Sequence, residues 1–165
     1  MPEFVHIHNH SHYSLLDGAA TVETLVGAAV QNKMSAVALT DHGVMFGALE
    51  FYKKAKKAGI KPIVGCEAYI VTRGSRLDKT LQSEKSSQGQ GRGIYHHILL
   101  LAKNEQGYRN LIKLVTLGHT EGYYYKPRID VEILNLYREG IIATSACPGG
   151  VVGSQRVVRH LVQPV

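Results

Sequence analysis

Short runs of β-branched and aliphatic residues punctuate the chain. They fall at Phe4-Val5 with Ile7, at residues 36–39, at Ile63-Val64, at residues 98–102 and at residues 141–143. Each has the length of a strand. Between them, apolar positions recur at helical spacing. Thr21 reads as an N-cap ahead of a stripe made by Val22, Leu25, Val26, Ala29 and Val30. Residues 47–58 place Leu49, Tyr52 and Ala55 on an apolar stripe, with Lys53, Lys54, Lys56 and Lys57 mostly outward and Gly59 as a stop. Residues 105–118 predict a third helix with Leu111, Ile112, Leu114 and Val115 inward, and residues 130–138 a shorter fourth. Strands alternating with helices at this spacing predict an α/β fold of βαβ units with a parallel sheet, closed or open. Residues 73–93 are rich in Gly, Ser and Gln and have no period, which predicts an exposed, mobile loop.

Composition narrows the class. The chain has 165 residues, 44% hydrophobic and 19% charged, about one folded domain. Its longest aliphatic run, Ile98-Leu99-Leu100-Leu101-Ala102, falls far short of the roughly 18–20 residues of a membrane span. The start, Met1-Pro2-Glu3-Phe4, has no secretory pattern. Two cysteines, Cys66 and Cys147, are too few for a disulfide scaffold, so a cytoplasmic protein with reduced thiols is expected. Lys and Arg outnumber Asp and Glu by 19 to 13, a net charge of +6 that hints at a polyanionic partner. Much of the excess lies at Arg73, Arg76, Lys79, Lys85 and Arg92. No GxGxxG or GxxxxGK[ST] follows a strand, which argues against dinucleotide and P-loop chemistry.

Nine residues are histidine, and four of them alternate in Val5-His6-Ile7-His8-Asn9-His10-Ser11-His12. In extended chain such residues share a face, where neighbouring imidazoles can converge on a first-row metal. A purification tag is contiguous, unlike this run, and a lone buried histidine is usually a hydrogen-bonded core residue. Further candidates follow other strands: Thr40-Asp41-His42-Gly43, Gly65-Cys66-Glu67 and Ser145-Ala146-Cys147. Taken singly, Asp41-His42 reads equally as a helix cap and Cys147 as a buried thiol. Taken together, they bring N, O and S ligands to the C-terminal ends of strands, the rim where α/β barrels build their sites. That donor set suits zinc best, and manganese or iron less well.

At this point the residues resemble a family, the polymerase-and-histidinol-phosphatase (PHP) domain, in the form that opens bacterial DNA polymerase III alpha subunits. The matching stretches are FVHIHNHSHYSLLDGA (4–19), ALTDHGVMFGALEFYKKAKKAGIKPIVGCEAY (38–69), YHHILLLAKNEQGYRNLIKLV (95–115), EGYYYKPRID (121–130) and EGIIATSACPGG (139–150). The resemblance implies a distorted (β/α)7 barrel, present in part, with a cluster of up to three ions at the C-terminal rim of its strands. Carried over position by position, it implies metal ligation by His8, His10, Asp17, His42, Glu67, His97 and Cys147. His8, His10 and Glu67 would hold one ion, Glu67, His97 and Cys147 a second, and Asp17 with His42 a third. Glu67, Asp17 and His10 would carry the catalytic burden as ligands. His6 and His12 are left to outer or surface roles. His97 precedes its apolar run instead of following it, which on a simple parallel barrel puts it at the wrong rim.

The resemblance implies zinc, with Mn2+, Fe2+ or Mg2+ as alternatives. It also implies 3′–5′ exonuclease chemistry on DNA, in a protein that works with a sliding clamp and a proofreading subunit. Two other readings stay open, a structural metal-binding module supporting a polymerase and a stand-alone phosphoesterase. Tyr125, Lys126 and Arg128, with Tyr123 and Tyr124, combine stacking surface and charge suited to nucleic acid, or pack between helices. No Asp-x-His follows Cys147, so the family's last metal motif is missing. Residues 1–150 read as an incomplete PHP domain and residues 151–165 as an atypical tail of a fragment.

Overall fold

Thr21 has extended backbone, and its side-chain oxygen accepts from the amide of Thr24 at 3.1 Å, so helix α1 (Val22–Gln31) starts at the residue whose chemistry marks the start. Val22, Val26 and Ala29 of this helix are buried, whereas Val30 is exposed. Its partner α2 (Ala48–Lys57) is rotated from the expected stripe. Ala48, Phe51 and Ala55 are buried, while Leu49 and Tyr52 face solvent. Positions 48, 51 and 55 have helical spacing too, and that phase sends the phenyl ring of Phe51 inward. Gly59 follows the helix at φ +74°, a conformation that glycine adopts without a Cβ clash. The two helices cover β1 (Ala36–Leu39) through a core of Val22, Val26, Val37, Leu39, Phe51 and Ile60.

The computed structural model describes residues 4–79, 95–147 and 150–151. The central strand is β2 (Lys61–Val71), with β3 (His96–Ala102) on one edge and β6 (Ile141–Thr144) beyond it. Along the other edge lie β1, paired to residues 61–64 of β2, and then β5 (Lys126–Asp130), paired to residues 69–71. The short β4 (Tyr123–Tyr124) forms a hairpin with β5. Helix α3 (Glu105–Thr120), capped by Asn104, covers the sheet, and α4 (Val131–Leu136) is capped by Asp130. In β2 the residues alternate between two buried faces. Cys66, Ala68 and Ile70 join Ile98, Leu100, Leu111 and Leu114 in the core under α3, while Glu67 and Tyr69 point to the opposite face. Ile112 of α3 remains exposed.

The sheet is mixed, not purely parallel. β1 and β5 run parallel to β2, but β3 is antiparallel to β2, and β6 is antiparallel to β3. Adjacent parallel strands need a long crossover, usually a helix, and the described part of the β2–β3 connection contains none. The reversal carries His97, at the start of β3, to a position opposite Tyr69 in the C-terminal part of β2. The rim problem posed by the sequence is thereby removed.

The predicted strand at residues 4–7 does not form. The segment lies beside β1 with irregular bonds: the Ala38 amide donates to the His6 carbonyl, the Thr40 amide donates to the Asn9 carbonyl, and Asn9 Nδ2 donates to the Ala38 carbonyl. A side-chain amide thus stands in for part of a strand ladder. Residues 73–79 are not a free loop either. Arg76 is buried, with its guanidinium paired to Glu121, Asp130 and Glu132 and its amide donating to Asp130. The remainder of the expected loop, residues 80–93, and residues 152–165 of the expected tail lie outside the described residues. Val151 is buried in the α3 core and donates from its amide to the His97 carbonyl. Among the described residues no helix is long and apolar enough to cross a membrane.

Two glycines test how this packing constrains substitution. A Cβ on Gly107 would collide with the carbonyl of Gly140, where α3 meets the turn before β6. Gly27, in the middle of α1, has open space around its missing Cβ. Gly107→Ala is expected to lower stability by about 1–3 kcal/mol. Gly27→Ala is expected to raise it by about 0.4–1 kcal/mol. Urea unfolding midpoints of the two variants should therefore move in opposite directions.

Candidate metal centre

Glu67 is the point on which the histidines converge. It lies mid-way along β2 with its carboxylate almost completely buried. Its backbone is clamped to the chain after β1: the Glu67 amide donates to the Asp41 carbonyl, and the Gly43 amide donates to the Glu67 carbonyl. Nε2 of His8 stands 2.8 Å and Nε2 of His10 2.6 Å from its Oε2. Nδ1 of His97 stands 2.8 Å from its Oε1, and Nδ1 of His42 lies 3.3 Å from Oε2. The N-terminal segment delivers the first two rings because Asn9, between them, is bound to β1.

Asp17 forms the second focus. Its Oδ2 lies 2.8 Å from Nδ1 of His10 and 2.9 Å from Nε2 of His42. The turn that carries it is wound around Asp41, a buried carboxylate that accepts from the Ser11 amide (2.6 Å), the Ser11 hydroxyl (2.9 Å) and the Ser14 hydroxyl (2.7 Å). Ser14 Oγ accepts in turn from the His42 amide. Asp41 therefore ties the turn bearing Asp17 to the strand end bearing His42. His119 of α3 donates from Nε2 to the Gly43 carbonyl at 2.9 Å and fastens the same strand end from the other side. The sequence reading overlooked Ser11, Ser14 and His119. The Ser11-x-x-Ser14 spacing after the histidine run was the available signal for the first two, and a helix residue contacting a carbonyl 76 positions away leaves none.

Among the described residues, three sets of donors have ligand atoms within 4.8 Å of one another: His8 with His10 and Glu67, His10 with Asp17 and His42, and His42 with Glu67 and His97. Cys147 belongs to none of them. It sits in the turn after β6 with Sγ 4.0 Å from Nδ1 of His97, so that His42, not the thiol, completes the set around Glu67 and His97. His6 is turned away onto Phe4, and His12 packs on Tyr13.

The electrostatics demand positive charge between these groups. A neutral imidazole carries one N–H, yet His10 faces a carboxylate through each of its nitrogens. His42 does the same, and its buried Nδ1 has no hydrogen-bond partner although Glu67 is 3.3 Å away. Burial works to raise the Glu67 carboxyl, but bonds from His10, His97 and His8 outweigh it and hold the group well below the ordinary carboxylate range. Bonds from His10 and His42 also lower Asp17. Burial opposes protonation of His10, and its bonds to Glu67 and Asp17 reverse that and raise it. Burial and the neighbouring His10 keep His42 below the usual histidine value, in the neutral form that ligates metals. A cation between the imidazoles and the two carboxylates would satisfy the nitrogens that face oxygen on both sides, and the three overlapping nitrogen and carboxylate sets fit one or more metal ions. Cys66, by contrast, is held as a thiol, because burial pushes it up to about 12.

The expected nucleic-acid residues separate. Tyr125 and Lys126 are exposed at the β4–β5 turn. Arg128 is not available to a ligand, which corrects its assignment. It is 0% exposed, donates to the carbonyls of Gly122, Arg76 and Asp78, and lies over the Tyr124 ring.

The chain matches known proteins over most of its length. The PHP domain profile matches residues 6–161. The DNA polymerase III subunit alpha of Borreliella burgdorferi is 52% identical over 149 residues, covering 90% of this chain and 12% of that protein. The protein of the same name from Aquifex aeolicus is 50% identical over 150 residues, 90% of this chain and 13% of the relative. That of Saccharopolyspora erythraea is 47% identical over 169 residues, 95% and 14%. The chain thus spans 12–14% of the length of these relatives. It belongs to the PHP domain family.

Proposed function

We propose that this chain is the PHP module of a replicative DNA polymerase III alpha subunit and that its histidine–carboxylate cluster hydrolyses phosphodiesters at DNA 3′ ends. The observation that carries the reading is the sharing of Glu67 by two donor sets and of His10 and His42 by adjoining ones. Shared ligands are how a protein holds cations close together, and clustered cations about 3.5–4 Å apart activate water and stabilise the attacking and leaving oxygens of phosphoryl transfer. The nitrogen-rich set favours zinc, with manganese or iron next and magnesium last. His8, His10, Asp17, His42, Glu67 and His97 are the proposed ligands, with Cys147 close enough to His97 to join them. Glu67 offers one oxygen to the His8–His10 side and the other to His97, so one buried charge serves both. Asp17 is more exposed than Glu67 and borders a surface cleft lined also by His42 and His97, so the turn that holds it also shapes the entrance for substrate. On this reading the protein works in the cytoplasm with DNA and with the other subunits of a replicative polymerase, the sliding clamp and the proofreading subunit among them.

The test is made on full-length protein freed of other nucleases. Wild-type protein is expected to carry zinc or manganese by mass spectrometry and to release nucleotides from labelled single-stranded DNA until a chelator is added. Glu67→Gln should lose bound metal and slow release at least about 100-fold, the upper end of what removal of an outer partner costs. Metal without any nucleotide release in the wild type would overturn the nuclease assignment in favour of a structural module.

Asp41 gives an independent prediction. In Asp41→Asn an amide nitrogen replaces one acceptor oxygen and opposes a hydroxyl or amide donor. Stability should fall by about 1–3 kcal/mol. The first-order effect on metal should be weaker retention by a loosened Asp17 turn, read by dialysis against a graded chelator series.

A further inference from the structure

The ligand cluster opens into a cleft of about 540 Å³. Asp17, His42 and His97 border it, so anything bound there touches the cluster directly. Much of the rest of its lining is aromatic. Phe46, Tyr123 and Tyr125 line it with 71%, 54% and 79% of their surfaces exposed, so their rings are open to a bound molecule. Tyr69 touches the cluster. Its ring stacks on His42 at 5.9 Å and 17° and meets His97 edge-on at 5.1 Å. Above Tyr69, 5.3 Å from the ring centroid, stands Nζ of Lys126, the one Lys or Arg among the described lining residues. Tyr125, beside it, is held at φ +59°, and Leu16, on the same cleft, at φ +67°. Left-handed backbone is costly for such side chains, and both are exposed.

We infer that this cleft is a nucleobase subsite, which names the substrate class within the phosphodiesterase reading on which it rests. The base of the terminal nucleotide stacks against Phe46, Tyr123 or Tyr125, and the Lys126 ammonium faces the phosphate that meets the cluster. Aromatic faces accept any base, because every base has a π-face, so the subsite selects for nucleotides without selecting sequence. Lys126 supplies charge for one phosphate. A sugar phosphate has a phosphate for Lys126 but nothing for the rings.

Two measurements on full-length protein test the subsite. The first is photo-crosslinking with 5-iodo-2′-deoxyuridine 5′-monophosphate, followed by peptide mapping. Adducts on Phe46, Tyr123 or Tyr125, suppressed by thymidine 5′-monophosphate and not by ribose 5-phosphate, are expected. Adducts confined to other parts of the protein, or none, would overturn the inference. This readout needs no turnover, so it decides the subsite even where the nuclease reading fails. The second compares kcat/KM for thymidine 5′-(p-nitrophenyl phosphate) with that for methyl p-nitrophenyl phosphate. Phe46→Ala and Tyr123→Ala should lower the ratio of the two by roughly 5- to 100-fold, the range of a lost base–aromatic stack. An unchanged ratio in both variants, with melting curves like the wild type, would sink the subsite. Absence of chelator-sensitive hydrolysis of either ester would instead sink the nuclease reading alone.

Discussion

One buried carboxylate organises this molecule. Glu67 sits at the centre of the long strand, sealed from water, and four imidazoles from three separate parts of the chain approach it. An isolated carboxylate in that position would take up a proton instead of bearing its charge. The ring donors reverse the balance, and in doing so they draw the N-terminal segment, the end of β1 and the start of β3 to the same place. The extended segment before α1 makes no regular ladder with the sheet. Its position beside β1 rests on the Asn9 bonds and on the attraction of His8 and His10 for Glu67.

A second buried carboxylate, Asp41, does a different job with neutral donors. It accepts from two serines and holds a turn, and that turn places Asp17 where it meets His10 and His42. The contrast between the two acids is instructive. Glu67 is surrounded by groups that ligate metals, whereas Asp41 is surrounded by hydroxyls and an amide that donate and cannot ligate in its place. Adjacent residues on one strand end, Asp41 and His42, thus divide the work of scaffold and ligand. A reading of Asp41-His42 as a helix cap has the acid's habit right, since it does accept local donors, but the donors come from a turn 27 and 30 residues earlier.

Much of this was legible along the chain. The four helices are marked by apolar spacing, and α1 by its Thr21 cap as well, because those signals are local. Alternation in the histidine run puts His6, His8, His10 and His12 on one face of an extended chain, and the resemblance, not the spacing, singles out His8 and His10. Strand direction was less accessible, because parallel and antiparallel partners leave the same apolar runs. The informative signal was the aperiodic stretch after β2, which offers no helix to carry a parallel crossover. With that stretch read as a hairpin connection, β3 reverses and His97 comes to the rim without further assumption. The phase of α2 was ambiguous for a plainer reason: its stripes through 48, 51 and 55 and through 49, 52 and 55 share a member, and only packing against β1 chooses between them.

Charge is where composition misleads most. The excess of Lys and Arg reads as a surface prepared for a polyanion, and Arg76 and Arg128 were counted toward it. Both are interior. Arg76 is matched by three carboxylates, and Arg128 is spent on backbone carbonyls, so together they fasten the chain after β2 to the β5 strand and to the end of α3. Their removal from the surface leaves Lys126 as the one Lys or Arg that borders the cleft among the described residues. A site of that kind is held together by internal ionic bonds and presents few cations of its own. Under the proposed function, its attraction for phosphate would come chiefly from the positive charge that the histidine–carboxylate cluster holds, so metal content would govern substrate binding more than net charge does.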